Sequence, residues 1–162
     1  MKLRDNEIRI TPSIVDRLLD FEPKVSTEAP KSRSRSLSEL KQAVRRDLEW
    51  LLNTRHSPIE IPEGLEEINK SMAIYGLPDF TGLSSKNHDD RKNLIHSIET
   101  ALRIFEPRFT NLKVILEEID SVERGVKFRI QATLKVEPTP EPVVFDTFLQ
   151  VGSGGFEVKE TS

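Results

Sequence analysis

Carboxylates near turns are the side chains of this sequence best suited to chemistry, because a pair of carboxyl groups is the machinery of glycoside hydrolysis. The candidates are Glu63, Glu66, Glu67 and Asp79. Such catalysis needs one carboxyl group held protonated in an apolar pocket beside an ionised one. The surrounding sequence indicates no such pocket, and a chain with 27 acidic residues brings some carboxylates together by chance. We therefore expect no enzymatic activity.

The histidine, cysteine and glycine patterns favour neither a metal site nor a phosphate site. His56, His88 and His96 have no metal-binding spacing such as H-E-x-x-H, and the chain has no cysteine. The run Gly152-Ser153-Gly154-Gly155 lies between two predicted strands and does not open a helix, where backbone amides attract anions. A tight turn is favoured there, and we expect no metal and no cofactor.

Length and charge favour one domain that recognises its partners locally. The chain has 162 residues, with 24 basic and 27 acidic side chains. A net charge of -3 gives no general attraction to nucleic acid or to an anionic membrane. Residues 1–10 mix charged and isolated apolar side chains and show no signal-peptide hydrophobic region, and no apolar run reaches the roughly 18 residues of a membrane span. We expect a cytoplasmic protein with no nucleic-acid partner and no direct membrane insertion.

The first part of the chain is predicted to be a docking peptide followed by a linker. Within residues 1–22, Pro12 to Leu19 form a short amphipathic helix, which is too short to be stable alone in water. We therefore expect it to dock on a partner. Residues 23–36 are rich in proline and serine and are predicted to form a flexible linker. The predicted docking residues are Ile14, Val15, Leu18 and Leu19.

Residues 37–158 are predicted to form a single domain, and residues 159–162 a frayed tail. The serine and glutamate of a capping box place the start of the first long helix at Ser36. Trp50 is expected to pack near the end of this helix. Helical spacing of apolar residues predicts a shorter helix between Leu65 and Ile74, and a third helix from Asp89 to Phe105.

Beyond the third helix, the apolar period changes from helical to alternating. Strands are predicted near residues 112–118, 126–136, 143–151 and 156–158, and the first two should form an antiparallel hairpin. Helices followed by strands are typical of the α+β class. We expect N-terminal helices packed on a small antiparallel β-sheet formed by the C-terminal third.

Two charged residues lie where the helical period stops. Pro107 ends the helix and forces Glu106 out of the helical region. In an extended backbone, residues two apart share a face, so Glu106 and Arg108 should project together. Aromatic residues flank this pair, which predicts partial shielding from water. A binding or clamping role is therefore as strongly favoured as a structural one.

The segment Ile104-Phe105-Glu106-Pro107-Arg108-Phe109 resembles the signature of the contractile-tail baseplate wedge family. This family includes the type VI secretion subunit TssE and phage wedge proteins once called lysozyme-like. Three further stretches carry the resemblance, which extends from near the N-terminus to the last strands: Val15 to Asp20, Asp47 to Arg55 and Tyr75 to Asp79. The N-terminal peptide and Asn53-Thr54-Arg55 favour the secretion subunit over the phage protein.

The resemblance implies a structural subunit of the type VI secretion baseplate, assembled at the inner face of the inner membrane. Its expected partners are the wedge proteins TssF and TssG and the sheath proteins TssB and TssC. Glu106, Pro107 and Arg108 would form the sheath contact, where a sheath strand extends an exposed sheet edge. Charge reversal at Arg108 is then expected to abolish sheath assembly without unfolding the monomer.

Three alternatives remain open. One is a phage tail wedge protein, and another is a cytoplasmic anti-adapter regulator of the same structural family. The third is a peptidoglycan hydrolase, which the old lysozyme-like label suggests and which the sequence does not favour.

Overall fold

In the part of the chain that the structure describes, three α-helices precede four β-strands. The computed structural model describes residues 10, 12–19, 32–56, 62–80, 87–117, 125–150 and 154–161. The helices are α1 (Ile14–Leu18), α2 (Arg33–Asn53) and α3 (His88–Phe105), and the strands are β1 (Phe109–Leu116), β2 (Gly125–Leu134), β3 (Glu141–Gln150) and β4 (Phe156–Thr161). This order confirms the predicted α+β class.

The four strands form one antiparallel sheet in the order β1-β2-β3-β4. Alternation along β2 puts Phe128 and Ile130 on the covered face, where Phe145 of β3 joins them. The register between β1 and β2 shifts between Thr110 and Lys113, where Asn111 has a φ of 52°. This irregularity lies within the edge strand β1.

Helices α2 and α3 cover one face of the sheet, with α2 packed against β4 and α3 against β1. Each helix buries an apolar stripe at helical spacing. Full burial of each such side chain contributes about 1.5–3 kcal/mol to folding. The stripes consist of Val44, Leu48, Leu51 and Leu52 on α2, and of Leu94, Ile98 and Leu102 on α3.

Helix α2 begins one turn earlier than predicted. Its N-cap is Ser32, whose hydroxyl accepts a hydrogen bond from the Arg35 amide at 3.3 Å, so the prediction of a cap at Ser36 was wrong. Both serines can cap a helix, and the residues between them tolerate helical geometry. Residues 33–36 of the predicted linker are therefore helical, whereas residues 23–31 lie outside the described part of the chain.

The segment between α2 and α3 contains two short 3₁₀ helices, Glu66–Lys70 and Met72–Ile74, where one α-helix was predicted. Ser71 separates them in an extended conformation, and its hydroxyl accepts a hydrogen bond from the Ala73 amide at 3.3 Å. Gly76 then has a φ of 112°, and a Cβ there would lie 2.5 Å from the carbonyl oxygen of Thr54. Only glycine fits at this position, where the backbone passes close to that of Thr54.

The C-terminal tail is ordered further than predicted. Strand β4 continues to Thr161, so the expectation that residues 159–161 are frayed was wrong. Thr161 pairs with Val144 of β3, and its hydroxyl donates to the Asp146 carboxylate at 2.5 Å. At the preceding turn, the Gly154 amide donates to the carbonyl of Gln150 at 3.0 Å.

Candidate functional site

Glu106 ends α3 and directs its side chain into the domain. Its amide donates to the carbonyl of Leu102 at 2.9 Å, and its side chain is only 4% exposed. Pro107 follows and cannot continue the helical hydrogen bonds. The carbonyl of the next residue, Arg108, accepts a hydrogen bond from the Lys135 amide at 2.9 Å, next to the β1–β2 ladder. The predicted switch from helix to strand is confirmed.

The Arg108 guanidinium forms a bidentate ion pair with Glu106. Its Nε donates to Glu106 Oε1 at 2.5 Å, and its Nη2 donates to Oε2. The backbone amide of Arg108 also donates to Oε1, at 3.3 Å. The two side chains therefore meet on one face, as predicted. Glu106 is too deeply buried for its carboxylate to touch a partner in this conformation.

This pair is one end of a chain of five alternating charges, which we call the charge chain. Arg108 Nη2 donates to Asp47 Oδ2 at 2.7 Å. Arg46 Nη2 donates to the other oxygen of Asp47 at 2.9 Å and to Asp16 Oδ1 at 2.8 Å. The order is thus Glu106, Arg108, Asp47, Arg46, Asp16. It connects the helix-to-strand junction to α2 and then to α1.

The charge chain stabilises the cationic form of Arg108. Burial by itself would lower the pKa of Arg108, but the hydrogen bonds and negative charges of Glu106 and Asp47 outweigh burial and raise it. A reversed charge at this position would put a third carboxylate beside those two. The expectation that charge reversal leaves the monomer folded therefore does not agree with this geometry.

Helix α1 contacts α2 through its polar side. Asp16 is held by Arg46, and Ser13 caps the helix by accepting a hydrogen bond from the Asp16 amide at 3.2 Å. The apolar residues of α1 face away from the described part of the domain. They are all exposed, with Ile14 at 76%, Val15 at 50%, Leu18 at 79% and Leu19 at 41%.

The contact between Asp16 and Arg46 is expected to open in acid. Burial raises the pKa of Asp16, but hydrogen bonds from Ser13 and Arg46 outweigh it, so the pKa lies below its ordinary value of 3.8. The stabilisation is therefore complete above 3.8 and is lost as the pH falls through the folded-state pKa. NMR of the carboxyl carbon should show Asp16 titrating below 3.8 in the protein, and nearer 3.8 in Arg46→Gln. Identical titrations in both proteins would contradict this contact.

A cavity of about 190 Å³ opens beside the charge chain. Tyr75 and Phe105 meet in its wall edge to face, with ring centroids 5.1 Å apart. Trp50 is 53% exposed, so the prediction that it packs at the helix end was wrong. The Arg46 guanidinium instead lies 4.9 Å from the centre of the indole ring. The lining residues are Asp47, Leu48, Trp50, Leu51, Tyr75, Phe105, Glu106 and Arg108.

Side chains from the helices also cover both outer edges of the sheet. At the β4 edge, Asn53 donates to the carbonyl of Phe156 at 2.9 Å and accepts from its amide at 2.8 Å. Arg45 donates to the carbonyl of Val158 at 3.3 Å. At the β1 edge, the described residues provide one such hydrogen bond, in which the amide of Val114 donates to Glu99 of α3 at 3.2 Å.

The structure gives no support to the carboxylates considered for hydrolysis. Glu63, Glu67 and Asp79 are exposed, whereas a protonated catalytic acid needs an apolar surrounding. The side chain of Glu66 lies outside the described residues. Within the described ranges, no group of three or more potential ligands could hold a metal ion, and no helix is long and apolar enough to cross a membrane.

Sequence comparisons give two kinds of relative. The profile of a family described as baseplate wedge protein gp25 matches residues 38–139, which include every charge-chain residue except Asp16. Proteins named anti-adapter protein IraD, from Escherichia coli strains 536 and UTI89, are 28% and 27% identical to the chain over 134 residues. In both cases the alignment covers 80% of this chain and 91% of the relative.

Proposed function

This chain belongs to the family of the baseplate wedge protein gp25, and from that premise we propose that it is the TssE-type structural subunit of a type VI secretion baseplate. The predicted resemblance to the baseplate wedge family is confirmed by the match over residues 38–139. In this proposal the protein joins the wedge proteins TssF and TssG and nucleates the sheath of TssB and TssC. It acts in the cytoplasm, held at the inner membrane by the baseplate.

The orientation of α1 supports a wedge-docking role for this helix. A short amphipathic helix normally buries its apolar face in its own domain or in a partner. Here the salt bridge between Asp16 and Arg46 holds the polar face, and Ile14 and Leu18 face outward. A partner with an apolar groove would meet a helix already positioned, which lowers the entropy cost of binding.

Polar substitution on α1 tests this docking. Ile14→Ser combined with Leu18→Ser should lower the amount of TssF and TssG that co-purifies with the chain by at least tenfold, because two buried apolar anchors contribute about 3 kcal/mol or more. Met72→Ser is the matched control, since Met72 is 75% exposed but lies outside α1. Equal recovery with both proteins would rule out docking through α1.

Sheath nucleation requires a sheet edge that can accept a strand, and β1 is the better suited edge. At β4, the edge groups of Phe156 and Val158 are bonded by α2 at three points. At β1, the one such bond among the described residues runs from Val114 to Glu99, and a strand donated by TssB or TssC would displace it. A hydrogen bond to a charged group contributes about 1.5–3 kcal/mol, which several new main-chain bonds can offset.

In this proposal Glu106, Pro107 and Arg108 act by placing β1. Pro107 ends α3, and the ion pair between Glu106 and Arg108 fixes the turn from which β1 departs. The carbonyl of Arg108 then accepts a hydrogen bond from the amide of Lys135, the residue that follows β2. The triplet thus determines where the accepting edge lies, and Glu106 itself makes no contact with the sheath.

An anti-adapter role is the second candidate, because relatives named IraD align over 91% of their own length at 28% identity. The co-purification experiment separates the two functions. An anti-adapter would recover an adapter or a protease component and no wedge protein. Recovery of TssF and TssG supports the baseplate role, and recovery of phage wedge proteins would instead indicate a phage tail.

A further inference from the structure

We propose that the cavity beside the charge chain, walled by Trp50 and Tyr75, is an anchor site for a lysine or arginine side chain of a partner protein. This inference does not depend on whether the partner belongs to a baseplate or is an adapter. It rests on the shape of the cavity, its aromatic walls and the charge around it.

The cavity can accommodate both parts of a long cationic side chain. Leu48, Leu51 and Phe105 provide an apolar surface for an aliphatic stem. Trp50 and Tyr75 offer aromatic rings, whose faces attract a guanidinium or an ammonium group. Arg46 already lies over the Trp50 ring, which shows that this indole accepts a cation. The proposed anchor would be a second cation beside the same ring.

The charges around the cavity favour a cation over an anion. The charge chain has three carboxylates, on Asp16, Asp47 and Glu106, and two guanidinium groups, on Arg46 and Arg108, so its net charge is one negative. A bound lysine or arginine would neutralise this surplus. A bound carboxylate would increase it in a partly buried site, where like charges repel most strongly.

The titration of Tyr75 agrees with a negative field at the cavity wall. Burial raises the pKa of the Tyr75 phenol, and the charges of Asp47 and Glu106 raise it further. The same two carboxylates would therefore attract a positive group placed beside this ring. Arg108 lines the cavity as well, and its one positive charge offsets only one of these two negative charges.

Arg46 lies between the cavity and the polar side of α1. Arg46 contacts Asp16 of α1 on one side and the Trp50 ring on the other. A partner that covers both α1 and the cavity would therefore span Arg46. Tryptophan, tyrosine and arginine are the residues most enriched among those that dominate binding energy. An apolar partner segment that carries one lysine or arginine fits this combined surface.

Fluorescence of Trp50, the only tryptophan, tests this proposal on the isolated protein. We expect saturable changes on titration with N-acetyl-arginine amide, and binding at least tenfold weaker for N-acetyl-norleucine amide, which has no charge. N-acetyl-glutamate amide should produce no saturable change. Because no partner is present, this test can fail or succeed independently of the proposed baseplate role.

Two substitutions of Tyr75 locate the binding. Tyr75→Leu removes the ring and should weaken binding of the arginine probe at least fivefold, whereas Tyr75→Phe keeps the ring and should bind within twofold of the unmodified protein. Thermal unfolding of each variant checks that it is folded. Equal binding of the norleucine and arginine probes, preference for the glutamate probe, no saturable change with any probe, or unchanged binding by Tyr75→Leu would each overturn the proposal.

Discussion

Replacement of Arg108 by leucine is expected to lower the free energy of unfolding by about 3 kcal/mol. Glu106 is 4% exposed, and without Arg108 its carboxylate would lose both guanidinium hydrogen bonds while remaining away from water. We expect a loss of stability at the lower end of the range for broken buried ion pairs, because the Arg108 side chain is itself 28% exposed. Urea denaturation at neutral pH measures the effect.

Two further variants control this experiment. The double variant Glu106→Leu with Arg108→Leu should regain most of the lost stability, because an apolar pair leaves no buried charge without a partner. Arg129→Leu is the matched control, since Arg129 also bonds two carboxylates, Glu117 at 2.8 Å and Asp146 at 2.7 Å. These pairs lie on the open face of the sheet, so little change is expected. An equal loss of stability in Arg129→Leu and Arg108→Leu would contradict the idea that the burial of Glu106 makes its ion pair important for stability.

The elements that depend on local signals were predictable from the sequence. The unbroken alternation from Val126 to Val136 identified β2, and Pro107 identified the end of α3. The start of α2 was misplaced because Ser32 and Ser36 both have the chemistry of a cap, and sequence alone does not choose between them.

The partners of Arg108 depend on the fold and could only be predicted in part. Glu106 is two residues away from Arg108, and side chains two apart in an extended chain lie on the same face, so this contact was predictable. Asp47 is 61 residues away, and its contact with Arg108 exists only because α2 packs beside the helix-to-strand junction. Asp47 and Tyr75 lie in stretches that carried the family resemblance, but that resemblance assigned them no contact.

Substitution of Val114 by proline is expected to abolish sheath assembly while the domain stays folded. The amide of Val114 bonds Glu99 and takes no part in the β1–β2 ladder, so its loss leaves the sheet intact. A donated strand would need this amide, and the proline ring would also obstruct its approach. We expect at least a tenfold drop in the fraction of cells that form a sheath labelled on TssB.

Val158→Pro is the matched control on the opposite edge. Val158 and Val114 are both buried valines in edge strands. Because the carbonyl of Val158 points outward to Arg45, its amide also points outward, and proline again spares the ladder. Any loss of packing should therefore be similar in the two variants, and comparison of their thermal unfolding checks this. Only Val114→Pro removes an amide from the proposed accepting edge.

Sheath formation in cells that carry Val114→Pro or Val158→Pro in place of the unmodified chain tests whether β1 accepts a sheath strand. We expect that sheaths are lost with Val114→Pro and kept with Val158→Pro, while both chains still co-purify with TssF and TssG. Loss of sheaths with Val158→Pro alone would place the accepting edge on β4. Normal sheaths with both variants would contradict strand addition, and with it the proposed role of this subunit in sheath nucleation.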